Sequence, residues 1–255
     1  MSDDVEIERI ERRLELRLNR PAKKNALTGA MYGALADALA EGEADANVRA
    51  FLLCGAGETF TSGHDIGGFA EMATLGADAP VIRLLRAISR LKKPLVAAVN
   101  GPAIGIGVTM LLHCDLAVAV ERATFRMPFV DLGLVPEAAS SLLVPRLVGR
   151  VRAAAMLLLG EEFDARAAHD YGIVNRLAPD PATALEFARD YARRLCEKPP
   201  GALAATKALL SDGTSAVAAR IEEEAAVFVE RLASPEAQEA FAAFLARRPA
   251  DFSRF

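Results

Sequence analysis

The spacing of apolar and polar residues changes several times along the chain, and each change marks an element. Between about residues 5 and 18 apolar and charged residues alternate, through Val5, Ile7, Leu14, Leu16 and Leu18. That is the period of a two-stranded ribbon with one buried face. Thr28 then stands before Met31, Leu35, Ala38 and Leu39, a side-chain cap followed by the apolar side of a helix. Phe51–Cys54 is a short buried strand closed by Gly55-Ala56-Gly57, and Phe60–Ile66 forms a second glycine turn before Gly67-Gly68. Val81, Leu84, Leu85, Ile88 and Leu91 make a helical stripe. Next comes the strand Leu95–Val99, the turn Asn100-Gly101-Pro102, an apolar helix opened by Gly105 and Gly107, and the run Leu116–Val120. Strand, glycine turn, helix and strand outline a βαβ unit.

Beyond this unit, Phe125–Phe129 reads as extended and Asp131–Glu137 as an irregular loop. Ser140–Leu147 and Val151–Leu159 read as helices, and Ile173–Leu177 as a last short strand. From Pro181 to Ala246 the pattern is all helix, broken at Pro199-Pro200-Gly201 and near Pro235. Strands alternating with helices, then helices alone, predict an α/β core followed by a helical carboxy-terminal module. No repeat of fixed period appears.

Composition narrows the picture. At 255 residues the chain could be one large domain or one domain with an appendage, and its 52% apolar content includes no span long enough to cross a bilayer. Cys54, Cys114 and Cys196 have no metal-type spacing and suit buried thiols in a reducing compartment. Met1-Ser2-Asp3-Asp4 is acidic and lacks an apolar targeting segment, so a cytoplasmic location is expected. A net charge of −4 argues against nucleic acid as the main partner. With 18 glycines and no tryptophan the core should consist of closely packed layers, surplus apolar surface being covered by identical neighbours.

Gly105 and Gly107 remove side chains where a helix begins, its N–H groups lack partners and its dipole is positive. Such a place holds an anion or a polarised carbonyl oxygen; the same glycines also serve close helix–strand packing. A nucleotide loop would need a third glycine, or a lysine and hydroxyl after the turn, and Gly105-Ile106-Gly107 has neither.

Read together, these pieces resemble the crotonase, or enoyl-CoA hydratase/isomerase, superfamily. The matching segments are Asn19-Arg20-Pro21 through Asn25-Ala26-Leu27, Gly55-Ala56-Gly57 with Phe60–Ile66, and Lys93-Pro94 through Cys114-Asp115. Leu132–Pro136 and the region from Ala167 to Val174 complete the set, in family order, over roughly the first 180 residues. The resemblance implies a ββα superhelix core over residues 1–198 and a helical trimerisation region over 199–255, in homotrimers or homohexamers. It implies that the backbone N–H groups of His64 and Ile106 hold the thioester oxygen of an acyl-CoA. Lys23, Ala26, Ser62, Asp65, Ile66, Ile104, Gly105 and Phe129 are then expected to border substrate and CoA. Coenzyme A arrives with the substrate, and no separate cofactor, metal, nucleic acid or membrane partner is expected.

Within the family, hydratases use two glutamates. Aligned on the glycine loop and on Pro128, these fall on Thr109 and Phe129, a pair unable to clamp and activate water. Glu137, eight residues past Phe129, matches the single glutamate of the peroxisomal type of Δ3,Δ2-enoyl-CoA isomerase; Thr124-Phe125 to Ser140-Ser141 and Lys23–Ala26 with Met31-Tyr32 are similar to that branch. One carboxylate suits removal of a C2 proton and its return at C4. Phe129, Leu134 and Val135 should desolvate it and raise its pKa. The bland role for Glu137 is to favour the following helix through its dipole. Rival readings are another enolate reaction, such as weak hydration, and a non-catalytic CoA-binding or assembly protein. Asp131 reads as a turn former, His113 and His169 as structural, Asp115 as a buried organiser of a strand–helix junction, and Cys114 as inert. Lys23, Lys24, Lys92 and Lys93 flank the loops expected to carry CoA, so one or two should meet its phosphates.

Overall fold

The computed structural model describes residues 4–68, 79–210 and 214–255. The ribbon is present as β1 (Val5–Ile10) and β2 (Arg13–Leu18), paired antiparallel from Val5 opposite Leu18 to Ile10 opposite Arg13. Helix α1 (Gly29–Ala44) follows, with the Thr28 side chain accepting from the Met31 N–H as its cap. Then come β3 (Ala50–Gly55), α2 (Pro80–Ser89), β4 (Leu95–Val99), β5 (Ala103–Ile104), α3 (Ile106–Thr109), β6 (Leu116–Val120) and β7 (Thr124–Arg126). The remainder is α4 (Ser140–Val148), α5 (Arg150–Leu158), β8 (Phe163–Asp164), α6 (Ala165–Asp170), β9 (Arg176–Ala178), α7 (Pro181–Cys196), α8 (Pro200–Leu210), α9 (Thr214–Leu232) and α10 (Pro235–Leu245).

The main sheet has the order β1-β2-β3-β4-β6-β9, with every pair from β2 onward parallel. Parallel strands require crossovers that cover the sheet, which is why β3 and β4 are continuous apolar runs. On one face Leu35 and Leu39 of α1 and Leu84 and Ile88 of α2 meet Leu16, Leu53 and Leu95. On the other, α7 lies against β3, β4 and β6 with Ala184, Ala188 and Ala192 fully buried, a stripe of small side chains that lets helix and sheet approach closely. No helix among the described residues is long and apolar enough to cross a membrane.

Several elements depart from the sequence reading. A second sheet, β5-β7-β8, was not anticipated. The helix opened by Gly105 is only four residues long before it tightens into a 3₁₀ turn at Met110–His113. The last strand begins at Arg176, not Ile173; Ile173 and Val174 are buried on a turn where both N–H groups donate to the Ala168 carbonyl. The helical pattern is broken at Pro199-Pro200-Gly201 as read, α7 ending at Cys196 and α8 opening on Pro200, as proline does in a first turn. Helices α9 and α10 pack on α2, α4 and the 3₁₀ turn Val130–Leu132, so residues beyond 198 share the core through Ile221, Phe228 and Leu232.

Asn25 fastens the first loop to the rest. Fully buried at a left-handed φ of 53°, it donates from Nδ2 to the carbonyls of Ala56 at 2.9 Å and Thr59 at 2.8 Å, and accepts from the Arg20 N–H at 2.9 Å. Asn25→Ala strands these buried groups, and we expect a loss of about 3 kcal/mol in urea unfolding.

Candidate functional site

A cavity of about 780 Å³ opens where the two glycine turns meet the carboxy-terminal helices. Its floor is main chain. Thr61 and Ala103 form a parallel bridge, with the Ile104 N–H donating to the Thr61 carbonyl at 3.0 Å. Leu27 and His64 form another, in which the Leu27 N–H donates to Gly63 and the Asp65 N–H to Leu27. In a parallel ladder the bridging residue's own N–H points the opposite way, so that of His64 is turned from Leu27. Gly105 caps α3 at φ 55°, ψ −117°, and Ile106 is its first residue, whose N–H has no intrahelical acceptor.

Lys23, Ala26, Ser62, His64, Asp65, Ile104, Gly105, Ile106, Phe129 and Glu137 all line this cavity. Ile66 opens the adjoining 3₁₀ turn Ile66–Gly68. Lys23 and Lys24 are exposed on its wall. Lys93 is elsewhere: its ammonium donates to the Gly42 and Asp45 carbonyls at 2.7 Å each, at the end of α1, which removes it from the expected CoA contacts. Asp115 organises its junction as expected, accepting from the Leu95 N–H and from Lys207, but its carboxylate is part-exposed instead of buried.

Glu137 is a half-buried carboxyl of the wall. Removal from water pushes its pKa up to about 8, the Glu224 charge adds to this, and a 3.4 Å hydrogen bond from the Thr109 hydroxyl opposes it. The following turn is unusual: Ala138 and Ala139, both buried, have φ of 59° and 57°, a left-handed pair that costs about 1–2 kcal/mol per residue. His113 Nε2 hydrogen-bonds the Ala138 carbonyl at 2.8 Å, and the Ser140 hydroxyl donates to the Glu137 carbonyl at 2.6 Å. His113 is therefore structural, and burial holds its pKa below the usual value.

Two other carboxyls of the wall are paired with arginines. Asp65 is paired with Arg20 at 2.6 Å, which holds its carboxyl below the ordinary range; Asp131 is paired with Arg126 at 2.9 Å. The His64 ring stacks on Tyr32 with Nδ1 3.1 Å from the phenol oxygen, and burial depresses its pKa to about 4, leaving a weak base. Burial raises the thiols of Cys54, to about 11, and Cys114, so neither is an activated nucleophile.

Sequence reasoning missed several wall residues. Tyr32 entered only through the Met31-Tyr32 match; burial and the nearby Glu137 and Asp65 charges push its phenol pKa well above the usual value. Phe228, Phe244 and Leu245 come from α9 and α10, about a hundred residues from Glu137, and no local pattern distinguishes them from core.

A carboxyl with pKa 4.5 unfolded and about 8 folded lowers stability as pH rises through that window, because the unfolded chain ionises first. Glu137→Gln abolishes the penalty. Its melting temperature should match the parent below pH 4.5 and exceed it by roughly 5 °C or more above pH 8, by scanning calorimetry.

The family profile described as enoyl-CoA hydratase/isomerase matches residues 12–254. The chain is 34% identical over 221 residues to the 1,2-epoxyphenylacetyl-CoA isomerase of Escherichia coli, covering 83% of each. It is 37% identical over 207 residues to enoyl-CoA delta isomerase 2 of Rattus norvegicus, covering 76% of this chain and 51% of that protein. Among solved structures, Pseudomonas aeruginosa OdaA superposes with a TM-score of 0.92 at 46% identity, over 96% of this chain and 99% of that one.

Proposed function

The chain belongs to the enoyl-CoA hydratase/isomerase family, and we propose that it moves the double bond of a 3-enoyl-CoA into conjugation, giving the trans-2-enoyl thioester, with Glu137 carrying the proton. What supports this reading is that, among the described residues, Glu137 is the cavity carboxyl whose pKa desolvation raises toward neutrality, and it shares the lining with His64 and Ile106. Asp65 and Asp131 on the same wall are held by arginines and Glu162 is exposed, so Glu137 is the group suited to exchange a proton near neutral pH.

In this reading the thioester oxygen accepts hydrogen bonds from the N–H groups of His64 and Ile106. The Glu137 carboxylate takes a proton from C2, and the C–H pair moves into a dienolate whose charge rests on that oxygen. The C3–C4 double bond becomes C2–C3 as Glu137 returns the proton to C4. Each donor is worth about 2.7–4 kcal/mol of barrier. Burial favours the neutral acid, so Glu137 keeps the abstracted proton long enough to return it instead of exchanging it with water. Thr109 and Phe129, where hydratases have glutamates, offer no means of activating water, which favours migration over hydration. Lys23 and Lys24 are the cations suited to the CoA phosphates.

The relative named enoyl-CoA delta isomerase 2 supports this choice among the family's reactions. An assembly of three or six copies goes with it, and the exposed Val151, Leu158, Leu159, Leu209 and Leu210 are surface for such contacts.

The test is turnover of 3-hexenoyl-CoA to the conjugated product, followed by ultraviolet absorbance. We expect kcat/KM to rise with pH to a plateau with a limb near 8, and Glu137→Gln to lose about a thousandfold. Crotonyl-CoA hydration faster than isomerisation would overturn the assignment. Unchanged turnover in Glu137→Gln would remove Glu137 as the base. Light scattering should give three or six times the chain mass.

A further inference from the structure

Glu222, Glu223 and Glu224 are consecutive on α9 and have three different fates. Glu222 pairs with Arg86 and Glu223 with Arg220, both toward solvent. Glu224 is turned inward, 6% exposed, and its two oxygens accept from the N–H groups of Ala139 at 2.6 Å and Ser141 at 3.0 Å. These are the unpartnered donors at the start of α4, filled by a side chain from 83 residues further along the chain instead of by a local cap; Ala139 itself makes no side-chain cap. We infer that Glu224 is a positioning residue for Glu137: it clamps the left-handed Ala138–Ala139 turn that presents the Glu137 carboxyl, and it sets a second negative charge beside it.

The inference rests on Glu137 being the reacting base. The turn stores strain, and its exit at Ala139 and Ser141 is held by Glu224, while His113 and Ser140 hold the Ala138 and Glu137 carbonyls. Facing the Glu137 carboxyl are Thr109 and Glu224; Tyr32, on α1, feels its charge and that of Asp65. His64 and Asp65 share its cavity, and α2 contributes the apolar Val81, Ile82 and Leu85. Arg220, whose Nη1 donates to the Ser141 hydroxyl at 3.0 Å, is the cation beside Glu224. Burial raises both carboxyls, but Glu224 has two main-chain donors and Glu137 one weak hydroxyl contact. Glu224 therefore ionises first, and its charge makes Glu137 the stronger base.

The experiment compares the pH dependence of kcat/KM for 3-hexenoyl-CoA in the parent, Glu224→Gln, Arg220→Gln and Glu137→Gln. The amide keeps the shape and removes the charge, so the Glu224→Gln limb should move about one pH unit toward acid. Arg220→Gln makes the surroundings more negative and should move it a few tenths toward alkali. A merely structural role would lower stability and leave the limb in place. An unmoved limb, or one displaced in the same direction by both substitutions, overturns the inference. Should Glu224→Gln fail to fold, Arg220→Gln decides alone, and an unmoved or acid-shifted limb counts against it. The pH at which melting temperature falls must move in parallel, a readout independent of any substrate. Turnover surviving in Glu137→Gln would instead defeat the reading on which the inference rests.

Discussion

Thr61 joins the two glycine turns, and the geometry of the cavity depends on that junction. Fully buried, its carbonyl accepts from the Ile104 N–H at 3.0 Å, its hydroxyl donates to the Asn25 carbonyl at 2.7 Å, and the same oxygen accepts from the Gly63 N–H at 3.0 Å. Three chain segments, from before α1, after β3 and after β4, are thereby fixed within one hydrogen-bonding unit. Its methyl group explains a glycine as well: a Cβ at Gly107 would lie 2.6 Å from Thr61 Cγ2. Donors built from backbone held this way do not reorganise when charge develops in front of them, which is the condition for electrostatic stabilisation of an enolate.

Opposite this rigid floor stands a wall made of a costly turn and a costly charge. Consecutive left-handed alanines and a desolvated carboxyl both oppose folding locally; Glu224 of α9 offsets the first by accepting from the Ala139 and Ser141 N–H groups, while its charge adds to the second. Local instability offset by contacts from a distant element is how a fold keeps a carboxyl away from water.

What the sequence revealed followed from how local each signal is. The ribbon, the Thr28 cap, the β4–β6 unit and both glycine turns depend on a few adjacent residues, and the structure contains them. The β5-β7-β8 sheet escaped because strands of two or three residues are too short to display a period. Family resemblance led to Glu137; composition alone would have left it as a helix-end charge. Glu224 was illegible, since nothing in a run of three glutamates says which one turns inward. Lys93 misled for the same reason: a basic pair beside a glycine loop looks like phosphate chemistry until the chain folds and its ammonium meets the carbonyls of α1.

One wall of the cavity comes from Phe228, Ala240, Phe244 and Leu245, near the end of the chain. Since a ribosome delivers residues from the amino terminus, the two glycine turns and Glu137 emerge well before the residues that complete this wall. The enclosed cavity therefore exists only once α9 and α10 have been made and have packed, so its shape belongs to segments far apart in the chain and not to the glycine turns alone.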